Sequence, residues 1–410
     1  MEYGLIGEHL GHSFSKQIHE EIAGYKYEIK EIAKGDLASF MMSKNFKAIN
    51  VTIPYKEAVI PFLDELSEEA KLVGAVNTIV NNSGHLIGYN TDMKGFIALL
   101  KHMNLEVANK NILVLGHGGA SKAVIAALKT LKAKNILIAS IDKEKGTLSY
   151  EDIYDKQEVE IIVNTTPVGM YPNNDASLVE LNKFANLEAF VDVIYNPLKS
   201  KTVIEALKLG KKAEGGLYML VAQALYAIEH FLDKKLDESI IDKVYNNILK
   251  SKRNIVLIGM PTCGKSTIGK IIAKDLNVPF VDTDEEIIKR IKMPIKDYFT
   301  LFGEASFRKI ETDVIKGLYK QTPTIISTGG GIIKNQINID LLKQNGIVVF
   351  VDRDLSLLKV SDSRPLSSSK NTLEILYKER LPIYKACSDL VITNNGEKFI
   401  DAAQKLEELL

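Results

Sequence analysis

Twice in this chain of 410 residues a run of aliphatic, mostly β-branched residues ends in a glycine-rich turn and passes straight into a helical pattern. The first unit reads NILVLG (111–116), HGGAS (117–121) and KAVIAALKTLKA (122–133). The second reads NIVLIG (254–259), MPTCGKS (260–266) and TIGKIIAKDL (267–276). A strand that feeds a helix so directly needs that helix to cross over to a parallel neighbour, so the chain must be built of α/β layers. Shorter apolar runs extend the series. Strands are expected at Tyr3–Ile6, Tyr27–Ile32, Ala48–Thr52, Asn77–Val80, 135–140, 160–166 and 189–195, in parallel sheets, with helices at Leu217–Phe231 and Ser239–Leu249. Two separate series imply two modules, and the polar stretch Lys250-Ser251-Lys252-Arg253 places their boundary near residue 251.

Composition narrows the function classes. With 46% hydrophobic and 25% charged residues the chain reads as globular, not disordered. Lys plus Arg and Asp plus Glu are 52 each, so no general attraction to nucleic acid or an anionic membrane is expected. Two cysteines, Cys263 and Cys387, make no disulfide framework and suit a reducing compartment. There is no basic stretch followed by a long apolar core at the start, and no apolar run reaches the ~20 residues that span a bilayer. A soluble, cytoplasmic protein is expected. All six arginines (Arg253, Arg290, Arg308, Arg353, Arg364, Arg380) lie beyond residue 250. Lysine-rich coding accounts for the low total but not for the segregation. Arginine persists where a planar fork must grip a carboxylate or phosphate.

Gly259 to Ser266 has the phosphate-loop spacing G-x-x-x-x-G-K-S in the required strand-to-helix context. Glycines let backbone N–H groups turn inward around phosphates, Lys265 brings charge to them, and Ser266 offers a hydroxyl to Mg²⁺ at the helix start. A nucleoside triphosphate site follows. Gly116 to Ser121 is an imperfect G-x-G-x-x-G, with the small Ser121 in the last position, and reads as a dinucleotide turn.

The strings around the phosphate loop are PFVDTDEEI, FRKIE (307–311), STGGG (327–331), SRPL (363–366) and KERLPIYKACSD (378–389). In this order the module from Asn254 to about Thr393 resembles shikimate kinase. The resemblance implies that Asp284 orients and deprotonates the 3-hydroxyl of shikimate, that Asp282 and Ser266 hold Mg²⁺, and that Arg308 and Arg380 grip the substrate carboxylate. It puts Gly329, Gly330 and Gly331 against the substrate and Gly259, Gly264, Lys265, Ser266, Thr267 and Arg364 around ATP. Glu311, one turn after Arg308, is expected to pair with it. Arg253, Arg290 and Arg353 are expected at the surface. Thr262 and Cys263 stand where many relatives have a glycine-containing interior. Cys263 reads as an inert spacer; the alternative is a reactive thiol at a helix start, whose alkylation would block an ATP site.

Upstream, GHSFSKQIH (11–19), INVTIPYKEA (49–58), GAVNTI (74–79) and GYNTDMKGF (88–96) combine with VNTTPVGMYPN (163–173), DVIYNPLKSK (192–201) and EGGLYMLVAQA (214–224). Together they resemble shikimate dehydrogenase over about residues 3–232. The resemblance implies a catalytic pair, Lys56 and Asp92, with Ser13, Ser15, Thr52, Asn77, Asn90, Tyr195 and Gln223 binding substrate. It puts Gly116, Gly118, Gly119, Ala120 and Gly216 at a nicotinamide cofactor. Family habit favours NADP, whose 2′-phosphate would rely on Lys122, Lys143, Lys145 and hydroxyls. Asp142 after the second strand suits a ribose 2′-hydroxyl and leaves NAD open. His12 and His117 are read as hydrogen-bonded or exposed rather than as acids.

The expected architecture is therefore a substrate domain over 1–100, completed by helices at about 217–250, a Rossmann-like NAD(P)-binding domain over 101–216, and a P-loop kinase domain with a parallel sheet over 253–410. The expected function is bifunctional: reduction of 3-dehydroshikimate to shikimate and ATP-dependent phosphorylation of shikimate. The expected partners are those two small molecules, with no nucleic acid and no membrane; a homodimer is compatible with the sequence. Two other readings stay open, a binding protein without turnover and an NAD-linked quinate-type dehydrogenase joined to another kinase.

Overall fold

The first strand, β1 (Tyr3–Gly7), lies between β2 (Tyr27–Glu31) and β3 (Ala48–Val51) in parallel register, with Leu5 opposite Ile29 on one side and Asn50 on the other. Beyond β3 the pairing reverses. Strands β5 (Thr78–Asn82) and β6 (His85–Tyr89) form an antiparallel hairpin, β5 runs antiparallel to β3, and β4 (Glu65–Leu66) closes the edge, giving the order β2-β1-β3-β5-β6-β4. This sheet is mixed where the sequence suggested parallel strands. The reason is local: Ser83 and Gly84 both take positive φ, 55° and 94°, and a two-residue turn of that hand can only return the chain antiparallel. That turn is also the overlooked signal for β6.

The structure is a computed structural model that describes residues 1–11, 13–142, 147–318, 323–359, 370–396 and 398–410. It divides into two compact units, Met1–Ile248 and Leu249–Leu410. In the first unit a second sheet is wholly parallel, ordered β11-β10-β9-β7-β8, from β7 (Asn111–Leu115), β8 (Asn135–Ala139), β9 (Ile161–Asn164), β10 (Ala189–Asp192) and β11 (Lys212–Glu214). Strands β9 and β10 end earlier than the apolar runs suggest, because Thr165–Thr166 and Val193–Tyr195 already belong to the loops that turn into the cleft. Helix Leu217–Leu232, apolar nearly all round, is buried against helices Asp92–His102 and Ser15–Ala23 of the first lobe. A Cβ on Gly95 would sit 2.9 Å from Gln223 Cβ, so these helices cross at glycine distance.

The second unit is a single parallel sheet ordered β13-β14-β12-β15-β16, from β12 (Asn254–Ile258), β13 (Phe280–Asp282), β14 (Ile325–Ser327), β15 (Gly346–Asp352) and β16 (Leu390–Thr393). The pairing Leu257–Ser327–Asp282 brings three strand ends level with the phosphate loop, at the carboxyl edge where the strand order reverses. Its core includes Val256, Leu257, Ile326, Val349 and Phe350, with Phe350 stacked 5.1 Å from Tyr384. No described helix is long and apolar enough to cross a membrane.

Candidate active sites

In the first unit a cleft of about 560 Å³ opens between the two sheets. Strand β3 delivers Thr52 to its floor, and the turn that follows presents Lys56; the other wall is Asp92, in the first turn of helix Asp92–His102. Lys56 Nζ donates to Asp92 Oδ2 at 2.6 Å, and both side chains are largely enclosed, at 15% and 10% exposure. The carboxylate also lies at a helix N-terminus, which favours negative charge. Ser13, Ser15, Asn77, Tyr195 and Gln223 line the same space with Ala120 and Gly216. Burial pushes the Tyr195 phenol up, so it stays a neutral donor.

Asn90 is placed differently. Its amide donates to Ala75 O at 2.9 Å and its carbonyl oxygen accepts from Met93 N–H, so it shapes the loop before Asp92 and is not among the residues lining the cleft. Thr91, which the sequence reading passed over, joins Asn77 and Gln223 in a buried network: Asn77 Nδ2 donates to Thr91 Oγ1 at 3.0 Å and to Gln223 Oε1 at 3.4 Å. The cleft is also walled by Thr165, Thr166 and Met170, from a string that carried no assigned role.

The glycine turn after β7 is shaped for close approach. Gly116 has φ 101°, and a Cβ there would sit 2.8 Å from Thr166 Cγ2. Around Gly118 a Cβ would meet open space. A Cβ on Gly119 would come within 3.5 Å of Lys56 Cδ, so the turn abuts the Lys56–Asp92 pair, with open space beside Gly118. Ser121 is fully buried and donates to Gly118 O at 2.7 Å, filling the last motif position without a third glycine. Gly216 is obligatory, since a Cβ would overlap Val193 O at 2.1 Å. Lys122 is engaged by Glu57 at 2.7 Å, and Asp142 stands exposed just beyond β8. Lys143, Lys145 and His12 lie outside the described residues.

In the second unit the phosphate loop runs from Gly259 (φ 147°) through Thr262 (φ 63°) to Gly264 (φ 103°), where helix Lys265–Asp275 begins. Lys265 is buried and its Nζ donates to Gly259 O at 3.0 Å and Met260 O at 2.9 Å. Ser266 Oγ donates to Asp282 Oδ2 at 2.6 Å and lies 3.0 Å from Ser327 Oγ. Hydroxyl, carboxylate and loop lysine are therefore together, a donor set that fits a magnesium-bound triphosphate. Thr267 is exposed on the helix face and Arg364 lies outside the described residues.

The glycine turn after β14 joins this loop to the arginines. A Cβ on Gly329 would sit 2.5 Å from Asp284 Oδ1, one on Gly330 3.1 Å from Pro261 Cδ, and one on Gly331 2.5 Å from Arg308 Nη2. Arg308 Nη1 donates to both oxygens of buried Glu311, at 2.9 and 3.0 Å, as the helical spacing suggested. Burial pushes the Glu311 carboxyl up against the opposing pull of Arg308. Arg380 is 2% exposed; its Nη1 donates to Gly330 O, while Nε and Nη2 are buried without a hydrogen-bond partner among the described residues. Buried guanidinium donors left open are costly unless an anion fills them.

One expectation is corrected here, that for Arg353, and the two readings of Cys263 are separated. Cys263 is fully buried behind the loop, 3.7 Å from Lys265 Nζ, so it is a packed spacer and not an accessible thiol. Arg353 is not a surface residue: its Nη1 donates to Asn394 O at 2.8 Å, its guanidinium lies over the Phe399 ring, and its Nε is buried. Asn394 in turn donates to Cys263 O at 2.7 Å and so props the phosphate loop. Arg253 reaches Leu410 O at 3.5 Å, and Arg290 pairs with Asp313 at 3.6 Å on the surface.

A family model described as the shikimate dehydrogenase substrate binding domain matches residues 5–79, and one described as shikimate kinase matches residues 261–410. A shikimate dehydrogenase (NADP(+)) of Clostridium perfringens is 36% identical over 264 residues, covering 60% of this chain and 97% of that protein. Among solved structures, shikimate dehydrogenase 1 from Peptoclostridium difficile is similar at TM-score 0.56 and 37% identity, over 60% of this chain and 98% of its own. A chorismate mutase/shikimate 5-dehydrogenase fusion protein from Clostridium acetobutylicum gives TM-score 0.56 and 38% identity, over 60% and 97%.

Proposed function

The chain belongs to the shikimate dehydrogenase family and continues into a shikimate kinase domain, and from that membership we propose that its first unit reduces 3-dehydroshikimate to shikimate with NADPH and its second phosphorylates the 3-hydroxyl of shikimate from ATP. It is a bifunctional enzyme of the shikimate pathway. The observation that carries the reading is the enclosed Lys56–Asp92 pair at 2.6 Å, set against the glycine turn in a cleft rimmed by hydroxyl and amide groups.

A reduced nicotinamide held at the glycine turn would supply hydride to the ketone carbon. Negative charge then builds on the ketone oxygen, and Lys56 Nζ holds the proton that neutralises it. Asp92 fixes that ammonium in place. Ser13, Ser15, Thr52, Asn77, Tyr195 and Gln223 supply the donors and acceptors that fix a polyhydroxy acid in one orientation. The glycine turn with Ala120 and Gly216 would hold the cofactor. NADP follows the name of the Clostridium perfringens relative. NAD is the second reading, supported by exposed Asp142 beyond β8 and by the engagement of Lys122 with Glu57.

For the second reaction, Ser266 and Asp282 would hold Mg²⁺, which neutralises phosphate charge when bound. Lys265 leaves the carbonyls of Gly259 and Met260 for the phosphate oxygens. Asp284, beside Gly329, takes the proton of the attacking hydroxyl. Arg380 and Arg308 seat the acceptor's carboxylate, for which the open donors of Arg380 are suited.

A coupled assay on the full chain tests both halves. NADPH oxidation with 3-dehydroshikimate, followed by shikimate 3-phosphate on adding Mg-ATP, is the expected result. Oxidation of NADH alone would assign the cofactor to Asp142. Absence of phosphorylated product with added shikimate would refute the kinase assignment.

A further inference from the structure

Both edges of the Arg308 guanidinium are engaged by carboxylates before any substrate arrives. Glu311 takes Nη1 with both oxygens and is itself buried, with Asn338 Nδ2 behind it at 3.4 Å. The other edge of the guanidinium, the Nε and Nη2 pair, is held by a single oxygen of Glu304, at 3.3 and 3.0 Å. The two carboxylates differ in kind. Glu311 is 2% exposed at its side chain and fixed; Glu304 is 44% exposed and follows Gly303, whose φ of 78° interrupts the helix and around which a Cβ would meet nothing. Lys334 stands 3.8 Å from the same Glu304 oxygen, so a second cation is within reach. Arg308 holds the Glu304 carboxyl below its ordinary range, which keeps it an anion at neutral pH.

Resting on the kinase reading above, we propose that Glu304 is a built-in surrogate for the substrate carboxylate. It occupies the side-on fork of Arg308 in the empty site, and the incoming carboxylate displaces it toward Lys334. Two carboxylates cannot both sit on the Nε–Nη2 edge, so an acceptor that grips Arg308 by that edge must displace Glu304. A ligand carboxylate replaces it with a bond of equal strength. A neutral ester entering the same edge must displace it too, so the occupant weakens binding of both kinds of acceptor by a similar factor.

The test compares the full-length chain with its Glu304→Gln and Glu304→Ala variants in steady-state phosphorylation of shikimate and of shikimate methyl ester. Wild-type turnover of shikimate must come first; its absence overturns the kinase reading, and this proposal falls with it. With turnover present, removal of the occupant is expected to lower KM for both acceptors about two- to fivefold, the range set by half-exposed ion pairs, with kcat unchanged. An unchanged KM for ATP in the same preparations confirms that the second unit is folded, since its phosphate loop is in that unit. A KM that falls for the acid alone would show a through-space charge effect in place of occupation. A KM that rises would make Glu304 a support for Arg308, and an unchanged KM would remove it from the seat; each of these outcomes overturns the proposal.

Discussion

Asp192 is the most deeply buried carboxylate among the described residues of the first unit. It closes β10, is fully buried, and accepts from Asn164 Nδ2 at 3.1 Å, Ile194 N–H at 3.0 Å and Ser200 Oγ at 2.6 Å. Burial outweighs those three donors and pushes its carboxyl up to about 7. Between its ordinary 3.8 and that value the folded chain binds more protons than the unfolded one, so stability falls as pH rises through the window. His19 does the reverse. Stacked 4.0 Å from Tyr27 and fully buried, it is pushed down to about 3 from 6.5, so the unfolded chain binds the extra proton and stability rises with pH across that range. The two slopes oppose each other. Asp192→Asn keeps the shape and turns Ser200 Oγ into an acceptor, and it is expected to leave the His19 slope uncovered. Urea unfolding of the full chain between pH 4.5 and 6.5 should then show the variant gaining stability with pH more steeply than wild type, by up to about 1.4 kcal/mol per unit. Equal slopes would mean that Asp192 is ionised throughout.

At the scale of elements, the phosphate loop shows what motif reading reaches and where it stops. Gly259, Gly264, Lys265 and Ser266 are legible because spacing alone demands them. The props are not. Asn394 and Arg353 act on the loop from more than eighty residues downstream through a carbonyl and an aromatic face, and no local pattern marks such contacts. Thr262 takes φ 63° where a glycine is customary, and its hydroxyl exchanges hydrogen bonds with the backbone of Lys359, at 3.1 and 3.0 Å, which offsets the ~1 kcal/mol cost of that conformation. In the first unit, likewise, β6 is hard to see because its hairpin turn is Ser-Gly, and Asn90, Thr91 and Asp92 share one string although only the structure separates the loop-shaping Asn90 and the buried network of Thr91 from the cleft-lining Asp92. Gly264 carries the sharpest expectation. A Cβ there would meet Asn394 Nδ2 at 2.6 Å and Phe399 Cε1 at 2.7 Å, on a backbone at φ 103°. Gly264→Ala is expected to raise KM for ATP at least about tenfold, a loss near the ~1.4 kcal/mol that one strained residue costs, while dehydrogenase rates of the same sample stay at wild-type level. An unchanged KM would show that the loop relaxes freely and that Asn394 is no prop.

The whole molecule is two sites that share no described residue. Lys56, Asp92 and the cleft around them belong to Met1–Ile248, and the loop, the glycine turn and the described arginines belong to Leu249–Leu410. Each unit is long enough to bury a core of its own. Helix Ser239–Lys252 runs past the boundary after Ile248, so a cut after Lys252 spares it and lets the second piece start at Arg253, one residue before β12. Expressed separately, residues 1–252 and 253–410 are expected to unfold in one cooperative transition each. Their kcat/KM values for 3-dehydroshikimate and shikimate should lie within about threefold of the full chain, less than 1 kcal/mol. An equimolar mixture of the pieces should also release and consume shikimate with the same time course as the joined chain, because nothing in either site requires the product to be handed over. A slower second step in the mixture would show that the covalent link does more than keep the two activities in equal amount. Loss of one activity on cutting would show instead that its unit depends on the other to hold its fold.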